Sequence, residues 1–314
     1  MTTPRTAAVA FSPGSVGNVG PGLDILGLAI GGAGDIVRAE RTAASGVVVL
    51  EAGHADLSAD PLRHTSALAA REVLRRAGAL DVGIALRVRK GLPLSGGQGG
   101  SAASAVAAAV AVNALLGAPL DRMALLAACL EAEAAVAGRH ADNVAPSLLG
   151  GAVLVRSMEP LDVVRLPVPA GLLVVLAHPD QRLRTADARA VLPASVSRAV
   201  ALHQAAQVAA MTAAFCLGDL ALLGRAIDDR IAEPARAALL PGFCDAKAAA
   251  LAAGALGASI SGSGPTAFAL VHGATRADQV ASAMRHAYLS AGVDCAVRVA
   301  EIDGTGARLL PDDA

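Results

Sequence analysis

The sequence predicts two α+β domains, on three observations. Strand-like and helical stretches interleave in both halves of the 314-residue chain, without the regular spacing of βαβ units. A proline-punctuated strip, Met158–Gly171 with Pro160, Pro167 and Pro169, stands between the halves. The length itself suits two domains. The expected division is 1–165 and 166–314.

In the first half, Ala7–Phe11 and Gly46–Leu50 are apolar runs of strand length. Ile84, Leu86 and Val88 alternate with Ala85, Arg87 and Arg89, which is the period of a half-buried strand. A helical pattern opens at Pro61 and reaches Ala77, where Gly78 stops it. Two more helices follow, Gly100–Leu116 ended by Gly117 and Leu120 or Asp121 to Ala137 ended by Gly138. Gly151–Arg156 reads as a strand. In the second half, Leu172–Ala177 is apolar throughout, as in a central strand. Helical patterns cover Ser195–Leu217, Asp219–Asp229, Gly242–Ala253 and Thr275–Ala291, and Ala258–Ser261, Thr266–His272 and Val297–Ile302 are strand-like.

Composition narrows the function. The chain is 54% hydrophobic and 17% charged, but alanine supplies about a quarter of all residues, so the surplus is small side chains. Aromatics are 2% with no Trp, which removes the stacking platforms that single strands and RNA need. The net charge is −1 and there is no basic run, so a nucleic-acid backbone is not the partner. Cys129, Cys216, Cys244 and Cys295 lie far apart with no Cys-x-x-Cys pair, consistent with buried thiols in a reducing compartment. Met1–Ala10 has no apolar core of a secretory signal, and Gly99–Ala118 reads as a buried Ala/Gly/Val helix, not a membrane span. A soluble cytoplasmic protein is expected, with no membrane partner.

Three glycine-rich segments hold the chemical information. The middle one, Leu92-Pro93-Leu94-Ser95-Gly96-Gly97-Gln98-Gly99-Gly100-Ser101-Ala102-Ala103, follows a strand ending in Arg87, Arg89 and Lys90 and enters a helix. Glycines let backbone N–H groups approach an anion, and the first helical turn adds unpaired donors and the positive dipole end. A Walker loop is absent, because no Lys follows Lys90 until Lys247. Gly97-Gln-Gly99-Gly-Ser-Ala102 fits G-x-G-x-x-A, but no strand with a terminal acid follows it. The first segment, Phe11–Ala29, packs glycines and two prolines round Asn18 and Asp24. The third, Gly257–Ala269, is a strand, a Ser/Gly turn and a strand.

In this order the three segments resemble the signature motifs of the small-molecule kinase superfamily of galactokinase, homoserine kinase, mevalonate kinase and phosphomevalonate kinase. Within it the chain is most similar to the homoserine kinases, over nearly its whole length. Val16–Ala29, His140–Gly151, Thr185–Pro193, and Glu233–Arg236 with Leu240–Pro241 carry that likeness. The resemblance implies a ribosomal-protein-S5-like ATP-binding first domain and a ferredoxin-like α/β sandwich as the second. It implies transfer of the γ-phosphoryl group of ATP to the hydroxyl of L-homoserine with Mg²⁺, in threonine biosynthesis. A sister kinase acting on another small alcohol, or a non-catalytic relative, are the alternatives. A homodimer follows family habit.

The same resemblance assigns the residues. Pro93 to Ala103 would wrap the phosphates, and Ser101 and Glu133 would hold the metal. Glu131 lies on the same helix, about 200° round the axis, so only one of the two glutamates faces the site. Asn18, Asp24, His140 and Asn143 would line the amino-acid pocket, with Arg189 and Arg236 as forks for the carboxylate; Asp24, Glu133 and Arg189 are the expected catalytic set. Two departures stand out. The family loop carries Leu where this chain has Gln98 and Ser where it has Gly100, which removes one hydroxyl from the phosphate and metal site. The first motif also lacks the Lys that mevalonate-kinase relatives use beside an aspartate base.

Overall fold

A computed structural model describes residues 5–136 and 138–311. The predicted helix end at Ala137, the first four residues of the N-terminal reading and the last three residues of the second domain fall outside the described residues.

A seven-stranded sheet carries β1 (Ala7–Gly17), β2 (Leu26–Thr42), β3 (Gly46–Glu51), β4 (Gly83–Arg89), β5 (Ala152–Met158), β6 (Leu161–Leu166) and β11 (Arg308–Leu310). The order is β11-β1-β2-β4-β3, with β5 paired to β2 and β6 to β5. Against it lie α1 (Thr65–Arg76), α2 (Gly100–Leu115) and α4 (Ala141–Leu149), with α3 (Arg122–Ala134) packed on those helices. The second half builds a four-stranded sheet, β10 (Cys295–Glu301), β7 (Leu172–Pro179), β9 (Ala267–His272) and β8 (Gly257–Ile260), antiparallel throughout. With it come α5 (Thr185–Ala190), α6 (Arg198–Leu217), α7 (Leu220–Arg225), α8 (Ala232–Arg236), α9 (Phe243–Ala252) and α10 (Ala274–Ser290).

Several elements differ from the sequence expectation. The first strand continues to Gly17, and β2, for which the sequence holds no expectation, runs 17 residues with residues 31–33 bulging out where the β1 register shifts between Pro13 and Gly14. The helix expected from Pro61 starts at Thr65, where His64 Nδ1 accepts from Ser66 N–H at 3.3 Å. The helix expected over Asp219–Asp229 stops at Arg225, because the Asp229 carboxylate accepts instead from the N–H groups of Ile231, Ala232 and Glu233 and starts α8. The strip Met158–Gly171 contains β6, hydrogen-bonded to β5.

Three apolar cores follow. Small side chains of α2 (Ala102, Ala105–Ala109, Val112) are buried between the first sheet and α1 and α3, which explains its alanine run. Outer residues of the second sheet pack on Phe243, Met284 and Tyr288 of α9 and α10. The remaining core joins the halves. Val16, Leu26, Leu28 and Ile30 meet Val174 and Leu176 of β7 and Phe268 and Leu270 of β9, together with Met211 and Phe215 of α6.

Candidate active site

The turn between β1 and β2 places Asn18 and Asp24, both in left-handed backbone (φ 67° and 60°). Such a conformation is tolerated best by Asn and Asp outside glycine, and here hydrogen bonds hold it. Asn18 Oδ1 accepts from Asp24 N–H at 3.0 Å, Asn18 Nδ2 donates to Gly262 O at 2.7 Å, and Asn18 N–H donates to Asp142 Oδ2 at 3.0 Å. Asp24 is thereby aimed at α5: Arg189 Nη2 stands 2.7 Å and His140 Nδ1 3.3 Å from its Oδ1. Burial lowers the imidazole pKa of His140, against the nearby Asp24 charge.

Arg236 completes this wall. It is 2% exposed, with Nε donating to Ala188 O at 3.1 Å and Nη1 to Gly262 O at 3.0 Å. Burial, then the charge of Arg189, pull it below the usual guanidinium range; Asp24, Asp229 and Asp142 oppose them. The Arg189 Nε is buried and has no partner among the described residues. Two guanidinium groups beside a carboxylate, with the Asp24 and Arg189 side chains about a third exposed, suit a zwitterionic amino acid.

The second cluster sits at the start of α2. Gly99 is left-handed at φ 67°, turning the loop into the helix, and the N–H groups of Gly100, Ser101 and Ala102 have no intrahelical acceptor. Ser101 Oγ donates to Glu133 Oε1 from α3. Glu133 is 7% exposed and its carboxyl is pushed up to about 7 by burial, against the Ser101 hydrogen bond and the Lys90 charge. Glu131 instead faces out and meets Arg139 at 3.4 Å. Two hard oxygens on a buried acid whose charged form lacks a full counter-charge fit a Mg²⁺ ligand set.

Asn143 stands between the clusters, its Oδ1 accepting from Ser15 Oγ at 2.9 Å. Gln98 does not offer its side chain to the loop's helix side; the amide reaches Thr266 and Arg298 in the second half. Gly100, which removes a hydroxyl relative to the family loop, is instead the carbonyl that accepts from Lys90 Nζ at 2.8 Å.

Three groups escape the sequence reading. Asp142, buried and pushed up to about 7 by burial and then by Asp24, is the acceptor that orients Asn18; its place between two assigned residues in His140–Asn143 was the available signal. Lys90 forms a buried ion pair with Asp35, and Ser104 Oγ donates to the same carboxylate at 2.5 Å. Nothing in the local sequence marks Asp35. Gln204, donating to Pro21 O at 2.8 Å and to Asp229 Oδ1 at 2.9 Å, fixes the first glycine turn to α8.

Fold and site together define a small-molecule kinase of the GHMP class: residues 63–151 match the GHMP kinases N terminal domain and residues 211–290 the GHMP kinases C terminal. Homoserine kinase of Chlorobium phaeovibrioides is 42% identical, over 96% of this chain and 98% of its own length. That of Arabidopsis thaliana is also 42% identical, over 96% and 84%. The crystal structure of homoserine kinase from Cytophaga hutchinsonii superposes with a TM-score of 0.94 at 39% identity, covering 99% of both chains. The chain belongs to the homoserine kinase family. Lactococcus lactis galactokinase, at 18% identity and a TM-score of 0.74, shares the fold.

Proposed function

We propose that this chain phosphorylates the side-chain hydroxyl of L-homoserine with ATP, giving O-phospho-L-homoserine and ADP. The observation that carries the reading is the convergence of Asp24, His140, Arg189 and Arg236 from four separate segments beside the glycine loop, in a chain about 40% identical to homoserine kinases throughout.

Phosphoryl transfer asks the protein for alignment and charge neutralisation. The loop 93–103 and the first turn of α2 would take the phosphates on backbone N–H groups. Arg189 and Arg236 would hold the amino-acid carboxylate, and Asp24, His140, Asn18 and Asn143 its ammonium and hydroxyl. The hydroxyl oxygen attacks the γ-phosphorus in line, and the bond to the bridging oxygen of ADP breaks. Asp24 is already paired with Arg189, so it acts by orientation, and the hydroxyl proton leaves late without a dedicated protein base. Ser101 and Glu133 would hold a Mg²⁺, which when bound neutralises phosphate charge.

The protein works as a homodimer in the cytoplasm, without nucleic acid or membrane. The net charge of −1 supports the first exclusion. α6 is long and apolar enough to span a membrane by length and composition alone, and 22% of its apolar 18-residue stretch is buried. Its exposed Leu202 and Leu217 flank buried Met211 and Phe215, a pattern that fits a packed helix with one face left for a second copy. The division near residue 166 is part of the same reading; β11 then returns to pair with β1.

The test is ADP release measured with a panel of hydroxy amino acids, sugars and mevalonate. L-homoserine should have the highest kcat/KM. A sugar or mevalonate turned over faster would make this a sister kinase, and no ADP release with any acceptor would leave a non-catalytic relative.

A further inference from the structure

The glycine loop is gripped from behind. Thr266 Oγ1 donates to Gly96 O at 2.5 Å, Ser261 Oγ donates to Gly97 O at 2.6 Å, and Ser15 N–H donates to Gln98 O at 3.1 Å. Three successive carbonyls are therefore engaged on the side of the second sheet and β1. In a trans peptide the N–H points opposite to the C=O of the same plane. The N–H groups of Gly97, Gln98 and Gly99 accordingly face away from those three partners.

Between Gly96 and Gly100, Gln98 carries the single side chain. It is buried. Its Nε2 donates to Thr266 Oγ1 at 3.3 Å, and its Oε1 accepts from Arg298 Nη2 at 3.0 Å. The Thr266 hydroxyl has one proton, given to Gly96, so it accepts from Gln98 and from His178 Nδ1–H, 3.0 Å away. Arg298, on β10, also donates through Nη1 to Gly31 O on β2 at 2.9 Å. It has no ion pair among the described residues, and burial lowers its pKa. The guanidinium is half-buried and its two recorded hydrogen bonds go to neutral acceptors, Gly31 O and Gln98 Oε1, so they position it without neutralising it. The leucine of the family pattern could make none of these bonds.

We propose that Gln98 and Arg298 are a positioning pair for ATP: the amide–guanidinium contact locks the glycine loop with its carbonyls toward the second sheet and its N–H groups toward the phosphates. This rests on the kinase reading above. Flanked by glycines at φ 72° and 67°, the loop backbone has few restraints of its own, and the Gln98 side chain adds one to the three carbonyl contacts. The pair also makes loop shape depend on where β10 sits, linking the nucleotide side to the second half of the chain.

The experiment compares Gln98→Leu, Arg298→Met, the double variant and Arg298→Lys. It measures ATP affinity by calorimetry and nucleotide-dependent thermal shift, the KM for ATP and for L-homoserine, and the melting temperature without ligand. Each single variant should weaken ATP about three- to tenfold, the loss of one or two hydrogen bonds to a charged group. The homoserine KM should stay within about twofold. The double variant should be no worse than the weaker single one, and Arg298→Lys should recover part of the affinity. Wild-type ATP affinity in Gln98→Leu, or losses that multiply in the double variant, overturns the proposal. So does a parallel rise of both KM values with a lowered melting temperature, which marks a scaffold role. Should Gln98→Leu not fold, Arg298→Met cuts the same contact from the strand side. A wild-type protein that binds no ATP refutes the kinase reading itself, a result distinct from a wild type that binds and variants that bind equally.

Discussion

Arg189 Nη2 lies 2.7 Å from Asp24 Oδ1 across 165 residues of chain, with Nη1 at 3.4 Å from the other carboxylate oxygen. Both carboxylate oxygens of Asp24 thus face one guanidinium, which fixes the group as an orienting contact. Asp24→Asn keeps the size and one acceptor oxygen but releases Arg189. It should lower kcat/KM for L-homoserine by about ten- to a hundredfold and leave measurable turnover. Complete loss of activity in a folded variant would assign proton abstraction to Asp24.

Asp142 gives the stability a pH dependence of definite sign. Burial and then the Asp24 charge hold its carboxyl at about 7, well above its ordinary 3.8, while the Asn18 N–H and Arg189 pull the other way. With the folded-state value raised, the folded protein binds the proton more tightly than the unfolded chain does. Stability from this group is complete below about pH 4 and falls as pH rises toward 7. The loss is on the order of 4 kcal/mol. Asp142→Asn keeps an acceptor for Asn18 and cannot ionise, so its unfolding free energy in urea should change less between pH 5 and 8 and exceed the wild type at pH 8. Parallel pH profiles for the two proteins would contradict this.

The legible parts of the molecule are those whose signals are local. Gly99 and Gly117 bracket α2, and the alanines between them announce a helix that must lie against a sheet. The glycine loop, His140–Asn143 and Arg189 were readable because each sits in a short motif. β2 is not, since it is held by pairing with β1, β4 and β5 and carries a bulge at residues 31–33 that no local pattern announces. Asp35 is hidden for a similar reason: its buried carboxylate is explained by Lys90, 55 residues away, and by Ser104, 69 residues away. Gln98 reads in the sequence only as a departure from the family's leucine, because its partner Arg298 lies 200 residues further on. Which of Glu131 and Glu133 turns inward likewise depends on where α2 packs, a tertiary fact.

Arg236 is buried with two of its nitrogens spent on the carbonyls of Ala188 and Gly262. The fork is what lets one side chain brace α5 and the third glycine turn together. Arg236→Lys keeps the charge but has a single ammonium that cannot span both carbonyls. The KM for L-homoserine should rise by about tenfold or more, with a smaller fall in kcat and an unchanged KM for ATP. An equal rise in both KM values would place Arg236 in the general scaffold.

Gly27 marks the tightest contact between the site and the sheet beneath it. A Cβ built there would run into the carbonyl oxygen of Asp142 and lie 2.8 Å from Pro146 Cγ. Both neighbours belong to α4, the helix that carries Asn143 and follows directly on His140, and the carbonyl is backbone that cannot rotate away. The backbone of Gly27 is not in the left-handed region, so the requirement for glycine is one of space. Gly27→Ala must push α4 off β2 or bend it, and overpacking of this kind costs about 3 kcal/mol or more. Urea unfolding should show that loss. At temperatures where the variant stays folded, the KM for L-homoserine should rise, because His140 and Asn143 move with α4. A variant as stable as the wild type, with unchanged kinetics, would mean that α4 has room to shift which the present packing does not show.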